Sequence, residues 1–471
     1  MLFKHLSLLG LAVFSNAAAV SKRDANKIAT IDFSTTRGAP KQYGSGILYG
    51  IPDTDAWQIP KHFFTDIGIN HGRGGGSQVP GKGWVGGEAD YVARIKSVHS
   101  NYLKLRELGG NFFMLNSGLW GGDGLLVASD PLPGDNDDWS SYDAFLLRVA
   151  ADINSLGMTQ GLIVELWNEA DYSAFWLNRS KEQWLKAWGW AYHRLRPLLP
   201  ASVIIGGPAF ATEMSNAGWW PDFFQYVKTN GSVPEYWSYH CLFQAGGIGN
   251  DPEWSIAQMN GLLTQYGLPT GSPLSINEYA PPEDQNPGYS AWVISTFERR
   301  DVYGLRANWA AGGALHDYMA SLVGKPDDTN GGTYSNSSGG YWPTGEWHLY
   351  KYYKQSQTGV RVASERSVDD YFDVFATWDA SKRKASVIAG TNAVTGTYDI
   401  QVNGLPAGAF SRGRARVVVK KYPWVSFRAQ VTEAQIVTVS DTVYTVTGGA
   451  FTIPLTITEA TSGYSLDITP A

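Results

Sequence analysis

Apolar and polar positions alternate in two ways along the first three quarters of the chain. Short apolar runs predict strands near residues 44–50, 69–73, 112–116, 161–167, 202–206, 236–241, 274–278 and 305–310. Apolar positions recurring every three or four residues predict helices at 91–108, 141–156, 181–198, 252–266, 291–303 and 346–355. Eight strands with intervening helices favour a parallel (β/α)8 TIM barrel, an α/β fold, over an open sheet.

The pattern changes after residue 355. Strand patterns separated by short Asn-Gly, Gly and Pro turns occur at 360–362, 371–378, 385–390, 397–402, 415–419, 436–439 and 464–468. We therefore predict a barrel over residues 24–355 and a C-terminal β-sandwich over 356–471. The apolar run at 28–33 is a candidate further strand of that sandwich. The Gly-, Asn- and Ser-rich segment 325–340 predicts a long loop on the catalytic face of the barrel.

The N-terminus predicts export from the cell. Residues 1–19 combine a basic start, an apolar stretch and a small-residue end, which is typical of a secretory signal peptide. A dibasic pair within residues 20–23 suggests a trimmed propeptide. No later stretch has the roughly 18 apolar residues that a membrane helix needs. Sequons at Asn178, Asn230 and Asn336 fit a eukaryotic secretory route, so we expect a secreted, extracellular glycoprotein.

Composition excludes several classes of partner. The net charge is -6 and no Lys/Arg cluster exceeds Lys420-Lys421, which argues against nucleic acid and anionic membranes. The chain has 19 Trp and 25 Tyr, whose rings either stack on sugars or fill the core. Metal-binding motifs are missing, and Cys241, the only cysteine, is interpreted as a buried inert thiol. We expect no cofactor and no metal, and the sequence predicts no oligomeric state.

Two predicted barrel strands end in a carboxylate. Residues 165–169 read Glu-Leu-Trp-Asn-Glu and residues 274–279 read Leu-Ser-Ile-Asn-Glu-Tyr. They end the fourth and seventh predicted strands, whose C-termini open on the catalytic face of such a barrel. Glycoside hydrolysis requires two carboxyl groups, about 5 to 5.5 Å apart when the anomeric configuration is retained. The pattern therefore predicts catalytic roles for Glu169 and Glu278.

These motifs resemble those of clan A retaining glycoside hydrolases, most of all family 39. The resemblance implies that Glu169 is the acid/base, that Glu278 is the nucleophile and that Asn168 binds the sugar 2-hydroxyl. It also implies an oligo- or polysaccharide substrate, with a plant or microbial cell-wall glycan such as a β-xyloside, or an arabinose- or galactose-containing side chain, as the expectation. The resemblance also implies that Arg73, His240 and Trp309 belong to the substrate site. Tyr279 of the second motif is included with them.

Three positions carry competing interpretations. Glu165 alternates with Trp167 and Glu169, so we expect it to face the barrel interior as a paired structural carboxylate. His71 shares a strand face with Arg73 and either binds substrate or makes hydrogen bonds in the core. Ala170-Asp171 after the acid replaces the usual Pro-Asn of the family, which leaves the substrate open.

Two other functional classes compete with a hydrolase. A catalytically inactive carbohydrate-binding or lectin-like protein would use the aromatic residues without turnover, but the intact Glu169, Glu278 and Asn168 argue against it. A cell-wall structural protein would carry a Ser/Thr-Pro stalk or an apolar C-terminal anchor, and the sequence has neither.

Overall fold

A computed structural model describes residues 24–53, 59–212, 214, 218–242, 246–310, 312–326 and 340–471. The signal peptide, the propeptide, the sequon at Asn336 and most of the predicted 325–340 loop lie outside the described residues. Among the helices of the described residues, none combines the length and the apolar composition of a membrane span.

The larger domain is a closed barrel of eight parallel strands, as predicted. The first strand of the chain, β1 (Ile28–Thr36), precedes it. The barrel strands are β2 (Gly46–Leu48), β3 (His71–Gly74), β4 (Asn111–Leu115), β5 (Leu162–Glu165), β6 (Ile204–Phe210), β7 (Tyr236–Cys241), β8 (Leu274–Tyr279) and β9 (Tyr303–Arg306). Strand β9 pairs with β2, Leu305 opposite Gly46, and this pairing closes the barrel.

Helices surround the barrel and cover its apolar outer face. They are α1 (His62–Thr65), α2 (Gly83–Gly86), α3 (Glu88–Glu107), α4 (Asn116–Trp120), α5 (Ser140–Ser155), α6 (Ser173–Trp176), α7 (Lys181–Leu195), α8 (Trp220–Asn230), α9 (Pro252–Tyr266), α10 (Pro287–Arg300) and α11 (Gly345–Ser356). Short 3-10 helices lie at Ala25–Lys27, Asp135–Asp137, Pro282–Asp284, Gly312–His316 and Glu433–Gln435. The sequence prediction omitted α8, whose apolar face packs Phe223, Phe224 and Val227 into the main core.

Helix starts are set by side-chain caps. Asp251 accepts hydrogen bonds from the backbone N–H of Glu253 and Trp254 and precedes a proline at the first helical position of α9. Asn286 caps α10 in the same way, accepting from the backbone of Tyr289 at 3.0 Å. The α10 helix therefore begins four residues earlier than its apolar periodicity predicts.

The second domain is a nine-stranded sheet. It consists of β1 and eight later strands: β12 (Val360–Glu365), β13 (Phe372–Asp379), β14 (Lys384–Thr391), β15 (Gly396–Asn403), β16 (Arg414–Tyr422), β17 (Val437–Thr445), β18 (Phe451–Ile457) and β19 (Gly463–Pro470). A separate two-stranded ribbon is formed by β10 (Val323–Gly324) and β11 (Trp342–Pro343). The strand order is β17-β16-β19-β14-β13-β12-β1-β15-β18. Strands from across this sheet bury their apolar side chains in one shared core.

The N-terminal strand ties the two domains together. Strand β1 pairs antiparallel with β12 and parallel with β15, so the chain enters the sheet before it builds the barrel. On the barrel side, Arg299 of α10 forms a buried ion pair with Asp373 of β13. A Cβ atom on Gly390 of β14 would lie 2.1 Å from the backbone oxygen of Gly288, so helix and strand are in direct backbone contact. Strand β18 is absent from the sequence prediction.

Candidate active site

Glu169 and Glu278 converge at the C-terminal mouth of the barrel. One oxygen of each carboxylate and a ring nitrogen of His240 all lie within 4.8 Å of one another. A cavity of about 530 Å³ opens above them, and both carboxylates line it together with Asn168 and Trp309. This size is within the range of small-molecule sites. The fold therefore brings the two predicted carboxyl groups into one cleft.

Local backbone irregularities aim both side chains into the barrel mouth. Glu169 lies beyond β5 with a φ of 47°, a left-handed conformation that is uncommon for a residue with a side chain. Its N–H donates to the backbone oxygen of Ala209 at 2.8 Å. In β8 the register shifts after Ile276, so that Asn277 and Glu278 both face the interior. Such bulges commonly redirect side chains beside active sites.

Arg73 lies beneath the cleft and joins three acidic or polar groups. Its Nε donates to Glu165 Oε2 at 2.5 Å, and its Nη1 donates to Glu278 Oε1 at 2.6 Å. Its Nη2 donates to Asn168 Oδ1 at 2.6 Å. Because arginine only donates, the oxygen of Asn168 faces Arg73, and the amide NH2 is available to the cleft that Asn168 lines. Arg73 is buried, so it positions the site and does not line the cleft.

Glu165 is a structural counter-ion, as interpreted from the sequence. It is fully buried and accepts from Arg73, from Ser238 Oγ at 2.5 Å and from Asn277 Nδ2. With these donors the carboxylate is satisfied inside the barrel. The expected strict alternation is wrong beyond Glu165, because Trp167 packs against Trp176 and donates to the backbone of Phe175, outside the barrel interior.

His240 lies between the two catalytic candidates. Its Nδ1 is 2.7 Å from Glu169 Oε1 and its Nε2 is 3.5 Å from Glu278 Oε1. Burial lowers the pKa of His240, so the ring is neutral and carries one N–H. A neutral ring that accepts a hydrogen bond from protonated Glu169 at Nδ1 carries its hydrogen on Nε2, which faces Glu278.

The electrostatics separate the two carboxyl groups. Burial raises the pKa of Glu169 to about 7, although Arg73 opposes this shift. Burial also raises the pKa of Glu278, and His240 and Arg73 oppose that shift. Because Arg73 donates directly to Glu278 and makes no hydrogen bond to Glu169, the proton shared by the pair resides on Glu169. One protonated acid and one ionised carboxylate result.

The same three groups have the spacing of a cation site. Glu169, His240 and Glu278 each offer one ligand atom, and this is the metal-compatible cluster found among the described residues. Arg73, at 2.6 Å from Glu278, already supplies a positive charge at this point. The chemistry of the donor set therefore matches a pair of catalytic carboxyls supported by a histidine and an arginine.

Aromatic side chains form the walls of the cleft. Trp309 is 40% exposed, and its indole N–H donates to the backbone oxygen of Ala280 at 2.9 Å, which holds one ring face toward the cavity. Tyr172 and Phe175, from the segment after Glu169, line the other side. Flat apolar faces beside polar groups suit sugar rings, whose carbon-bound hydrogens form apolar patches.

Two predicted substrate-binding residues lie away from the cleft. Tyr279 is fully buried, and its hydroxyl is 2.7 Å from that of Tyr350, because its position after Glu278 points outward from the barrel. His71 begins β3 at the opposite end of the barrel, where its Nδ1 is 3.0 Å from Asn70 Oδ1 and its ring packs on Tyr303. Burial lowers the pKa of His71 to about 3. Both predictions are wrong, and for His71 the competing core interpretation holds.

Sequence reasoning missed several wall residues. Tyr49, Ser77 and Asp123 line the cleft from loops after β2, β3 and β4. Asp123 pairs with buried Arg94 at 2.7 Å, which holds its carboxylate at the wall. These residues stand in no recognisable motif, and only the folded barrel brings their loops together.

Asp171 has a structural role that its unusual sequence context did not reveal. Its carboxylate accepts from the backbone N–H groups of Ala211 and Thr212 at 2.8 and 3.0 Å, and from the Thr212 hydroxyl. Ala211 lines the cleft. Asp171 therefore joins the loop that follows Glu169 to the loop that follows β6, and it shapes the cleft without entering it.

The remaining sequence-predicted positions lie elsewhere. Cys241 is buried at the end of β7, with Sγ 3.6 Å from the backbone oxygen of Asn250. The sequon residues Asn178 and Asn230 are exposed, on a loop after α6 and at the end of α8. Asn178 and Asn230 are not among the residues that line the cleft.

Comparison with known proteins identifies solved structures that share this fold. No protein-family profile and no curated protein sequence matches the chain. Among solved structures, N2152 from Neocallimastix frontalis shares 23% identity over 94% of this chain and 99% of its own, with a TM-score of 0.71. The GH39 enzyme from Xanthomonas axonopodis pv. citri shares 12% identity over 97% of this chain and 99% of its own, with a TM-score of 0.57.

A third structure extends the comparison to another family. A GH30 endoxylanase from Clostridium papyrosolvens C71 shares 15% identity over 94% of this chain and all of its own, with a TM-score of 0.53. The matches span both the barrel and the appended sheet. Enzymes of families GH39 and GH30, which are clan A glycoside hydrolases, are thus among the solved structures that resemble this chain, and the predicted fold is confirmed.

Proposed function

We propose that the protein is a retaining glycoside hydrolase in which Glu169 is the general acid/base and Glu278 the nucleophile. The observation that carries the proposal is the convergence of the two carboxylates, with one oxygen of each less than 4.8 Å apart at the barrel mouth. Retaining enzymes hold their carboxyls about 5 to 5.5 Å apart, whereas inverting enzymes leave room for a water between them.

In the first step Glu278 attacks the anomeric carbon while Glu169 protonates the departing glycosidic oxygen. The bond from the anomeric carbon to that oxygen breaks, and a covalent glycosyl-enzyme forms on Glu278. Arg73 keeps Glu278 ionised for the attack by donating a hydrogen bond at 2.6 Å. The pKa of about 7 keeps Glu169 protonated until it is needed.

In the second step Glu169 takes a proton from water, and the water oxygen attacks the anomeric carbon. The bond to Glu278 breaks, and the sugar leaves with its original anomeric configuration. His240 supports the first step because Nδ1 of its neutral ring accepts a hydrogen bond from protonated Glu169 and orients the acid. The amide NH2 of Asn168 binds the sugar 2-hydroxyl in this proposal.

We further propose that the protein is secreted and acts on an oligo- or polysaccharide of a plant or microbial cell wall. The N-terminal sequence pattern supports secretion, and the aromatic walls of the cleft support a sugar substrate. A glucosidase from Croceicoccus marinus and the GH30 endoxylanase share the fold, which is consistent with a glycan substrate in this chain.

The decisive experiment follows the first-formed sugar by proton NMR during hydrolysis of an aryl glycoside panel. Retained anomeric configuration is the expected result, and an inverted product would reject the double displacement. If the wild-type protein bound glycans and hydrolysed none of the panel, the non-catalytic carbohydrate-binding alternative would replace the proposal.

A further inference from the structure

A second aromatic groove lies on the outer helix layer, with no lining residue in common with the catalytic cleft. It has a volume of about 780 Å³ and is formed by α5, α7 and the end of α8. Trp139 and Trp190 stack in it with ring centroids 5.2 Å apart and an interplanar angle of 15°. One face of each ring covers the other, and Trp190 remains 42% exposed. We call this feature the Trp190 groove.

Hydrogen bonds hold both indole rings in place. The Trp139 Nε1–H donates to Asp137 Oδ1 at 3.2 Å, and the Trp190 Nε1–H donates to Asp143 Oδ1 at 3.3 Å. Arg194 forms an ion pair with Asp143 and so holds that acceptor. A large aromatic face at the surface that is oriented in advance loses little conformational entropy when a ligand stacks on it.

Asn230, the second predicted glycosylation sequon, lines the same groove. His193 Nε2 is 2.9 Å from the backbone oxygen of Asn230 and 3.0 Å from its Oδ1. Because a backbone carbonyl only accepts, Nε2 must carry the hydrogen, and the side-chain atom beside it must be the oxygen. The amide nitrogen Nδ2, the atom that an N-glycan modifies, therefore points away from His193 and makes no hydrogen bond to the described residues.

The helix packing leaves room for this arrangement. Gly189 lies inside α7, where a glycine costs about 1 kcal/mol relative to alanine. A Cβ atom at this position would be 2.4 Å from the Tyr226 hydroxyl and 2.7 Å from Asn230 Oδ1. The glycine thus permits the Asn230 amide and the Tyr226 ring to lie against α7, one residue away from Trp190.

We propose that Asn230 carries an N-linked glycan whose first sugar residues lie in the Trp190 groove and stack on the exposed indole face. Attachment forms a bond between Nδ2 and the anomeric carbon of the glycan, breaks the bond from that carbon to its lipid-pyrophosphate carrier, and releases one amide proton. The secretory compartment supplies the carrier, so this inference rests on the proposed secretion and not on the proposed catalysis. A tethered ligand has an effective concentration in the millimolar range, so a weak stacking contact suffices.

The groove's charge and position support a tethered glycan over a free one. Asp137, Asp143, Lys186 and His193 supply donors and acceptors of both signs around the indole pair, which suits a neutral ligand rich in hydroxyl groups. A glycan on Asn230 begins inside the groove and would occupy it before any free chain arrived. The sequon at Asn178 provides the contrast, because it is not among the residues that line this groove.

The experiment uses the full chain secreted from a eukaryotic host and follows glycan release from the native protein by an endoglycosidase, site by site, with glycopeptide mass spectrometry. The Asn230 glycan should be released about tenfold faster from Trp190→Ala than from the wild type, which is the factor that a contact worth about 1.4 kcal/mol gives. The Asn178 glycan should be released at the same rate from both. Trp190→Phe, which keeps a flat face, should restore protection.

Ser232→Ala provides an independent test because it removes the sequon and leaves Asn230 in place. Ser232 Oγ is buried without a hydrogen-bond partner among the described residues, so the substitution removes no hydrogen bond. Its effect on Tm should be more negative in the wild-type background than in Trp190→Ala, because only the wild type loses the stacking contact. An unmodified Asn230, or equal release rates from the wild type and Trp190→Ala, would each overturn the proposal, while glycosidase activity is measured separately.

Discussion

His240 Nδ1 lies 2.7 Å from Glu169 Oε1, and this contact links Glu169 to Glu278 through a single neutral ring. Burial lowers the pKa of the histidine and raises that of the glutamic acid to about 7, so the proton between them belongs to Glu169 in acid and neutral solution. The first prediction follows from this assignment.

Activity should fall as the pH rises through about 7. Glu169 must be protonated to donate to the leaving group, and above its pKa each pH unit removes about nine tenths of the remaining acid form. The kcat/KM of an unactivated oligosaccharide should therefore decline with a slope of -1 on the logarithmic plot. In Glu169→Gln this limb should disappear from the residual activity. A wild-type profile that stays flat to pH 9 would contradict the assignment.

Azide should distinguish the two carboxyl groups. Glu169→Gln and Glu278→Ala should each lower turnover of an aryl glycoside by at least about 10³-fold. In an acid/base variant, azide attacks the glycosyl-enzyme and gives a glycosyl azide of retained configuration. In a nucleophile variant, azide enters the vacated space on the opposite side of the leaving group and gives the inverted product.

Asp284→Asn is the matched control for these variants. Burial raises the pKa of Asp284 to about 7, as it does for Glu169, but Asp284 is not among the residues that line the cleft. Its replacement should leave turnover close to that of the wild type. Loss of activity in this variant comparable to that in Glu169→Gln would show that turnover does not report on the cleft alone.

Glu169→Gln should also stabilise the protein at alkaline pH. A carboxyl whose folded pKa is raised to about 7, from about 4.3 in the unfolded chain, loses favourable folding energy as the pH rises through that interval. At pH 8 the wild type buries an ionised group and the variant does not, so Tm should be a few degrees higher in the variant. At pH 4 the two Tm values should agree, and a constant difference at both pH values would refute the linkage.

Removal of Arg73 should affect stability and activity separately. Arg73→Met leaves Glu165 and Glu278 without their counter-ion inside the barrel, which should cost about 3 to 5 kcal/mol of unfolding free energy. Adding Glu165→Gln removes one of the uncompensated charges and should recover part of the Tm without recovering turnover. Arg73→Lys should not restore turnover, because an ammonium group cannot reproduce the planar fork that reaches three acceptors. Urea unfolding and kinetics on the same samples provide the test.

Trp309→Ala should weaken substrate binding more than chemistry. The ring is 40% exposed at the cleft wall and is held by its hydrogen bond to Ala280. Loss of a stacking contact of about 1 to 2 kcal/mol corresponds to a KM increase of roughly 5- to 30-fold. Trp309→Phe should recover most of the affinity. An unchanged KM in Trp309→Ala would place the sugar elsewhere in the cleft.

Much of the fold was predictable because its elements carry local signals. Every barrel strand has an apolar run, and most helices have a clear apolar face, so the eight-strand count was correct. The strand and helix that were missed, β18 and α8, also carry local signals, because β18 buries alternate residues and α8 has one apolar face. The earlier start of α10 depends on a capping asparagine and a proline, which apolar periodicity does not reveal.

The candidate site was predictable only as far as its motifs extended. Trp-Asn-Glu and Asn-Glu-Tyr predict Glu169, Glu278 and Asn168, and the family resemblance predicts Arg73, His240 and Trp309; the structure places these residues in or beside one cleft. Tyr279 was misplaced because a sequence motif does not state on which face of a strand each member lies. The loop contact made by Asp171 was invisible because its partners, Ala211 and Thr212, are distant in sequence.

The sequence by itself determined the barrel, the appended sheet and the identity of the two carboxylates, because these follow from local periodicity and short motifs. Only the tertiary structure decided the environment of each carboxylate. A left-handed residue and a strand irregularity turn Glu169 and Glu278 toward one another, and unequal access to Arg73 leaves one of them protonated and the other ionised. Burial and distance, which set these pKa values, are properties of the folded chain and not of any segment of it.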